Sequence, residues 1–280
     1  MDRKVTSIGI LGLGIIGSRV SEQVQKAGHP VFTWSRTRRA EPSFQESPRR
    51  VAELAEIIQI FVRDDAALIE AIQNMQPALT ASHIIMNHAT VSKSATLVAA
   101  ALCAQSGSAF LDAPFTGSKM AAQNAKLVYY IGGSKEVLER ARPILGLSSQ
   151  NILLLGDVGD AMVLKIVTNL VSSITVKALS EAVAITQSEG VSLDLLLAAL
   201  QQNANFSTLI GMKLPTLMSG DFEPHFSLMN MLKDADFACQ MARSAGIKTP
   251  ALDCTAEAMR AGVENGKGDL DFSVMGEISG

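Results

Sequence analysis

Residues 5–27 read VTSIGILGLGIIGSRVSEQVQKA, and three features of that stretch decide the fold of the first half of the chain. Val5 to Leu11 is a short apolar run, suited to a strand covered on both faces of a parallel sheet. Gly12-Leu13-Gly14-Ile15-Ile16-Gly17 follows at once, and an amphipathic stretch then runs to Ala27. Strand, G-x-G-x-x-G and helix in that order form the dinucleotide fingerprint. The first glycine permits a tight turn, the second lets backbone approach a pyrophosphate, and the third lets helix and strand pack closely. Free N–H groups at the helix N-terminus then face the anion. An ordinary glycine-rich turn is the plain alternative, and the preceding strand argues against it.

The next strand, Val31 to Trp34, tells which dinucleotide. An NAD site usually carries Asp or Glu near the end of this strand, to hold the ribose hydroxyls. Here the chain reads Ser35-Arg36-Thr37-Arg38-Arg39, with no carboxylate before Glu41. Arginines and hydroxyls suit a 2′-phosphate through charge-assisted, bidentate contacts. The expected cofactor is therefore NADPH, held by Gly12 to Gly17 and by Ser35, Arg36, Thr37 and Arg38. A solvated basic loop is the alternative.

Further along the chain, strand and helix signals alternate. Strands are expected at 57–62, 83–86, 109–112, 127–132 and 152–155. Helices are expected at 51–56, 66–75, 94–106 and 135–142, with residues 41–50 as a loop. That alternation predicts a doubly wound parallel sheet of Rossmann type over residues 1–156. Thr116-Gly117-Ser118 falls just beyond the strand ending at Asp112. The C-terminal edge of such a sheet is where ligands bind, and a turn of this kind can cradle a carboxylate with its N–H groups.

From residue 157 the strand signals stop. Asp160 to Glu189 reads as one helix of about thirty residues, roughly 45 Å long, with Asp160 as N-cap and Gly190 as stop. It is apolar around most of its circumference, which predicts burial. One stripe is polar: Lys165, Thr168, Asn169, Ser172 and Ser173 recur at spacings of three and four. Lys165 reads either as a snorkelling lysine or as an ammonium held in a cleft for proton transfer. Further helices at 193–200, 208–218, 228–246 and 251–265 make residues 157–280 an all-α domain.

Composition excludes several classes. Of 280 residues, 48% are hydrophobic and 18% charged, so disorder is excluded. Aromatics at 5% and a net charge of −3 speak against a nucleic-acid surface. Residues 1–156 carry 16 Lys and Arg against 12 Asp and Glu, a balance of +4, and the remainder 8 against 15, a balance of −7. An anionic cofactor on the first half fits that asymmetry. Three scattered cysteines and four histidines without ligand spacing predict a reduced cytoplasmic protein with no metal site. No uninterrupted apolar run approaches the length of a membrane span. Met1-Asp2-Arg3-Lys4 before an apolar stretch has the outline of a leader, but the glycines and the lack of a cleavage site argue against one.

Taken together, these segments resemble the β-hydroxyacid dehydrogenases, relatives of hydroxyisobutyrate dehydrogenase and of phosphogluconate dehydrogenase. GLGIIG at 12–17, DAPFTGS at 112–118, GDAMVLKIVTN at 159–169 and Lys233-Asp234 carry the resemblance. TWSRT, TGSKMAA, FSLMNMLKD at 226–234 and GKGDLDFS are similar to the glyoxylate and succinic semialdehyde reductase branch. The resemblance implies Lys165 as general acid/base with Asn169 as its partner. It implies Thr116, Gly117, Ser118, Phe226 and Asp234 on the substrate side, and Val62, Thr90 and Lys233 beside the cofactor. Thr116 for the usual Ser, Arg63 for a small residue and Asn87-His88 ahead of Ala89-Thr90 are departures.

The expected activity is NADPH-dependent reduction of a small aldehyde acid such as glyoxylate or succinic semialdehyde. An imine reductase is the rival enzyme, opposed by Lys165. A non-catalytic NADPH-binding module is the rival from another class, opposed by the retained Lys165 and Asn169. A homodimer or larger homo-oligomer is expected, with no nucleic-acid or membrane partner.

Overall fold

A computed structural model of the chain describes residues 5–279. The leader-like Met1 to Lys4 lies outside that range. The chain divides into two compact units, one ending at Lys165 and the other beginning at Ile166.

The first unit opens with β1 (Ile8–Leu11), α1 (Ile15–Lys26) and β2 (Val31–Trp34). α2 (Pro48–Leu54), β3 (Ile57–Ile60), α3 (Asp65–Met75), β4 (Ile84–Asn87), α4 (Lys93–Gln105) and β5 (Ala109–Asp112) follow. β1 to β5 form one parallel sheet in the order β2-β1-β3-β4-β5. The order reverses between β1 and β3, and that switch opens a crevice at the strands' carboxyl ends. β1, β3 and β4 are buried along their whole length and apolar apart from Gln59 and Asn87, as strands covered on both faces require.

Two expectations shift here. β1 begins at Ile8, not Val5, which is 62% exposed. α2 begins at Pro48, inside the stretch read as loop. Ser47 caps it by accepting from the Arg50 N–H, and Pro48 takes the first helical position.

The remaining strands leave the parallel sheet. β6 (Phe115–Thr116) runs antiparallel to β7 (Leu127–Ile131), which pairs in parallel with β8 (Ser149–Leu154). α5 (Lys119–Gln123) and α6 (Lys135–Leu145) complete this part. An isolated bridge, Asp112 to Gly132, ties the two sheets. Thr116-Gly117-Ser118 thus begins a hairpin-like excursion between β6 and β7, which a succession of apolar runs does not reveal.

α7 (Asp160–Ser188) is the long helix, followed in the second unit by α8 (Leu193–Gln201), α9 (Thr208–Ser219), α10 (Leu228–Ser244) and α11 (Pro250–Glu264). A 3-10 segment, Phe272–Ser279, packs on α9, α10 and α11 and lies outside the predicted helices. Leu179 and Val183 of α7 join Ile210 and Leu214 of α9 in the core of this unit. The expectation of burial nearly all round α7 fails: Leu164, Val167, Val171 and Ile185 are exposed. By length and composition α7 would pass for a membrane span, with a window of mean hydropathy 1.5, of which 39% is buried.

Candidate active site

The glycine-rich turn is shaped by close packing. Gly12 has φ +96°, and a Cβ there would collide with the Phe61 carbonyl oxygen, one residue past β3. A Cβ on Gly17 would collide with the Gly12 carbonyl oxygen. Gly14, by contrast, faces open space: nothing stands within 4 Å of where its Cβ would be. Gly14 is also the N-cap of α1 and offers no side-chain cap. The first-turn N–H groups of α1 therefore border an open cradle, which fits a pyrophosphate. Leu13 is buried, while Ile15 is 58% exposed and Ile16 half-buried.

Beyond β2, a cleft of about 640 Å³ is lined by Arg38, Arg39, Ala40, Glu41, Pro42 and Phe44. Arg36 and Arg38 are exposed and make no hydrogen bond or ion pair among the described residues. The Ser35 hydroxyl donates to the Thr37 carbonyl at 2.6 Å, which tightens the turn. Arg39, absent from the sequence-derived set, donates to the Leu13 carbonyl and so ties this loop to the glycine-rich turn. Glu41 accepts from the Thr33 hydroxyl at 2.9 Å. The run of three arginines is the signal that could point to Arg39, but spacing does not distinguish which one turns inward.

Val62 and Thr90 follow β3 and β4 at the same carboxyl edge and are half-buried. The Asn87-His88 departure is structural. The Asn87 side chain accepts from the Ala89 N–H at 3.1 Å and donates to the Ala89 carbonyl at 3.2 Å, folding the turn before Thr90. His88 donates from Nδ1 to the Ala113 carbonyl at 2.7 Å, and its Nε2 lies 3.0 Å from the Gln59 side-chain amide. It stacks on Phe61 with ring centroids 4.6 Å apart. Burial pushes its pKa down to about 4, against a lesser opposing effect of the Ala113 carbonyl, so it is neutral at pH 7.

Thr116, Gly117 and Ser118 lead from β6 into α5. Gly117 has φ +132°, and a Cβ would meet Leu127 at 2.9 Å and Ala121 at 3.0 Å, so only glycine fits. Neither the Thr116 nor the Ser118 hydroxyl has a partner among the described residues. Asp112, just before this segment, is fully buried, and its Oδ2 accepts from the Gly159 N–H at 3.2 Å and the Met162 N–H at 2.9 Å. Lys165 follows Met162 by three residues and is 8% exposed.

In the second unit, Asn169 donates from Nδ2 to Asp234 Oδ2 at 2.6 Å. A carboxylate only accepts, so this bond fixes the amide's orientation and makes Oδ1 its acceptor end. Asp234 is 1% exposed and pairs with Lys233 at 3.6 Å, and Lys233 lies over the Phe237 ring at 5.7 Å. Phe226 is half-buried, edge-on to Phe272 at 6.4 Å. Asp271, which the sequence does not single out, accepts from the His225 and Phe226 N–H groups at 3.1 and 3.3 Å and pairs with buried Lys213 at 2.6 Å. Asn169, Asp234 and Lys233 are thus brought together, and Lys165 stands one helical turn before Asn169 on α7.

Residues 7–156 match the family described as the NAD binding domain of 6-phosphogluconate dehydrogenase. Residues 159–278 match the family described as NAD-binding of NADP-dependent 3-hydroxyisobutyrate dehydrogenase. The chain is similar to the chloroplastic glyoxylate/succinic semialdehyde reductase 2 of Arabidopsis thaliana, with 26% identity covering 96% of this chain and 78% of that protein. It is similar also to the 2-hydroxy-3-oxopropionate reductase of Escherichia coli, with 26% identity covering 96% and 95%. Among solved structures, a Mycobacterium tuberculosis 3-hydroxyisobutyrate dehydrogenase with L-serine shares the fold, with a TM-score of 0.89 at 24% identity over 98% of each chain.

Proposed function

The chain belongs to the hydroxyisobutyrate dehydrogenase-like members of the 6-phosphogluconate dehydrogenase NAD-binding superfamily, and from that premise we propose that it is a reductase of a short aldehyde acid with Lys165 as its proton donor. Membership makes it an NAD(P)-dependent oxidoreductase acting on small metabolites, and NADPH is its cofactor. NADPH, when bound, supplies a hydride to the carbonyl carbon. The open cradle at Gly14 and the N-terminus of α1 would hold the pyrophosphate, with Arg36 and Arg38 on the 2′-phosphate.

The observation that carries the reading is the place of Lys165. It is a buried ammonium near the start of α7, on the stretch that Asp112 anchors. Asp112 in turn ends the strand that leads to the unengaged hydroxyls of Thr116 and Ser118. Lys165 would give its proton to the carbonyl oxygen as negative charge develops there. The Asn169 amide, its Nδ2 donating to Asp234, would hold the lysine and a substrate hydroxyl or carbonyl. Thr116, Gly117 and Ser118 would grip the carboxylate and so orient the carbonyl. Phe226 and Asp234 would complete the substrate side, with Val62, Thr90 and Lys233 beside the cofactor. The thiols of Cys103, Cys239 and Cys254, none in a disulfide, support a cytoplasmic location, and the exposed apolar stripe of α7 supports a homodimer.

The test is NADPH oxidation followed at fixed pH across glyoxylate, succinic semialdehyde, acetaldehyde and a cyclic imine. The acids are expected to be reduced far faster than acetaldehyde, and the imine not at all. Lys165→Ala should lose about 10²–10⁴-fold in kcat with NADPH binding retained. Equal rates for acetaldehyde and glyoxylate would remove the carboxylate grip, and wild-type turnover in Lys165→Ala would remove the proton donor.

A further inference from the structure

We propose that Asp112 is a positioning residue for Lys165: its carboxylate holds the first turn of α7 by two backbone N–H groups and so sets where the lysine ammonium lies. The inference rests on the reading of Lys165 as proton donor and adds a residue that acts through it.

The geometry is that of a cap supplied from a distant strand. A helix leaves its first N–H groups without intrahelical partners. In α7 the carboxylate that meets them comes from the end of β5. Oδ2 takes the Gly159 N–H at 3.2 Å and the Met162 N–H at 2.9 Å. Asp160, the residue a sequence reading takes for the cap, instead turns back to the Asp157 N–H at 3.1 Å and to Lys93 at 3.4 Å. Lys165 lies three residues past Met162, next to the turn that Asp112 holds. The hold is firm, because Asp112 also sits in the β4–β5 ladder opposite Asn87 and in the bridge to Gly132.

Asp112 is also poised to titrate. Its Oδ1 is buried and has no hydrogen-bond partner among the described residues. With Oδ2 committed to the helix, Oδ1 is the atom that carries a proton. Burial raises the carboxyl pKa, the Met162 and Gly159 N–H groups lower it, Asp160 raises it and Lys93 lowers it, and the result is about 7. Asp160 at the start of α7 and Lys93 at the start of α4 are the charged groups acting on it. Its ladder neighbours Asn87 and Gly132 carry no charge. The ionised carboxylate is the stronger acceptor for helix N–H groups. Deprotonation therefore tightens the turn that leads to Lys165.

An unfolded aspartate titrates near about 3.9, below the folded value of about 7. The contribution of the neutral acid to stability is full below about pH 4 and is lost as pH rises through about 7. Asp112→Asn keeps an oxygen for the two N–H groups, stays neutral and should behave as the low-pH form at every pH. The melting temperature of this variant relative to wild type should therefore rise between pH 4 and pH 8.

The deciding experiment measures kcat and KM from pH 5.5 to 9 in wild type, Asp112→Asn, Lys93→Met and Lys165→Ala. Wild-type kcat should rise through pH 7. Asp112→Asn should lack that limb and lie about tenfold below wild type at pH 8, as expected when a charged acceptor becomes a neutral one, with KM for NADPH unchanged. Lys93→Met removes a cation that favours the ionised form and should move the limb to higher pH. It also decides the matter if Asp112→Asn fails to fold. An inactive Lys165→Ala beside an Asp112→Asn enzyme with the wild-type profile would overturn this inference alone. Equally, a limb unmoved by Lys93→Met would overturn it. A fully active Lys165→Ala would overturn the proton-donor reading and this inference with it.

Discussion

Arg36 and Arg39 leave the end of β2 three positions apart and take different tasks. Arg36 is exposed and makes no contact with another side chain's charge, while Arg39 is tied to the Leu13 carbonyl. Only NADPH carries a 2′-phosphate, so a side chain that serves it should not matter to NADH. Arg36→Gln should weaken NADPH about 10–100-fold, the range of one charge-assisted bond, and leave NADH nearly unchanged. Arg39→Gln should weaken both cofactors, since it loosens the glycine-rich turn they share. Fluorescence titration of each variant with both cofactors separates the cases, and equal losses in Arg36→Gln would make that arginine structural. His88 shows the converse, a residue that departs from the resembling family's pattern and is taken up in packing and hydrogen bonds. It is a neutral, buried strut between Ala113 and Gln59.

Among the elements of the second unit, one ion pair joins a helix to the Phe226 segment. Lys213 of α9 and Asp271, just before the final 3-10 segment, lie 2.6 Å apart, with side chains 5% and 1% exposed. Lys213 also lies 4.5 Å from the Phe272 ring centroid. Burial works to raise the Asp271 carboxyl, but the Lys213 ammonium and the Ser273 hydroxyl outweigh it and hold the pKa below the usual carboxylate value. Its stabilising contribution is therefore present above about pH 4 and is lost as pH falls through the depressed folded pKa. Lys213→Met leaves a buried carboxylate without its cation and should cost roughly 3–5 kcal/mol in urea unfolding. Adding Asp271→Asn should recover part of that loss, because the stranded charge is then gone. A single variant as stable as wild type would show that the pair is not what secures the His225-Phe226 backbone.

For the molecule as a whole, the exposed side of α7 is what a single chain leaves without an explanation. Leu164, Val167 and Val171 are 40%, 40% and 58% exposed and recur at spacings of three and four. They form one apolar stripe on the helix that also bears Lys165 and Asn169. Contiguous apolar surface of this kind marks association sites. On the proposal that this stripe is a homodimer interface, Val171→Glu should lower the mass in light scattering to that of a monomer, since pairing would bury a charge against its own copy. An unchanged mass would place the interface elsewhere.

Local pattern is enough for the class of the fold and the type of cofactor site. Strand runs, G-x-G-x-x-G between strand and helix, and a thirty-residue stretch without a helix breaker are all rules of near neighbours. The same kind of pattern shows the polar stripe that holds Lys165 and Asn169, because polar residues on a greasy helix are visible as spacing, but the choice of these two as site residues comes from the family resemblance. Packing, and not pattern, makes Asp112 rather than Asp160 the cap of α7, turns Arg39 onto Leu13 and sets Asp271 under Phe226. Asp112 lies 47 residues from Gly159, and Asp271 lies 45 residues from Phe226. No local signal records such pairs, because what brings them together is burial: a carboxylate taken out of water must find N–H groups or a cation wherever the packed chain presents them.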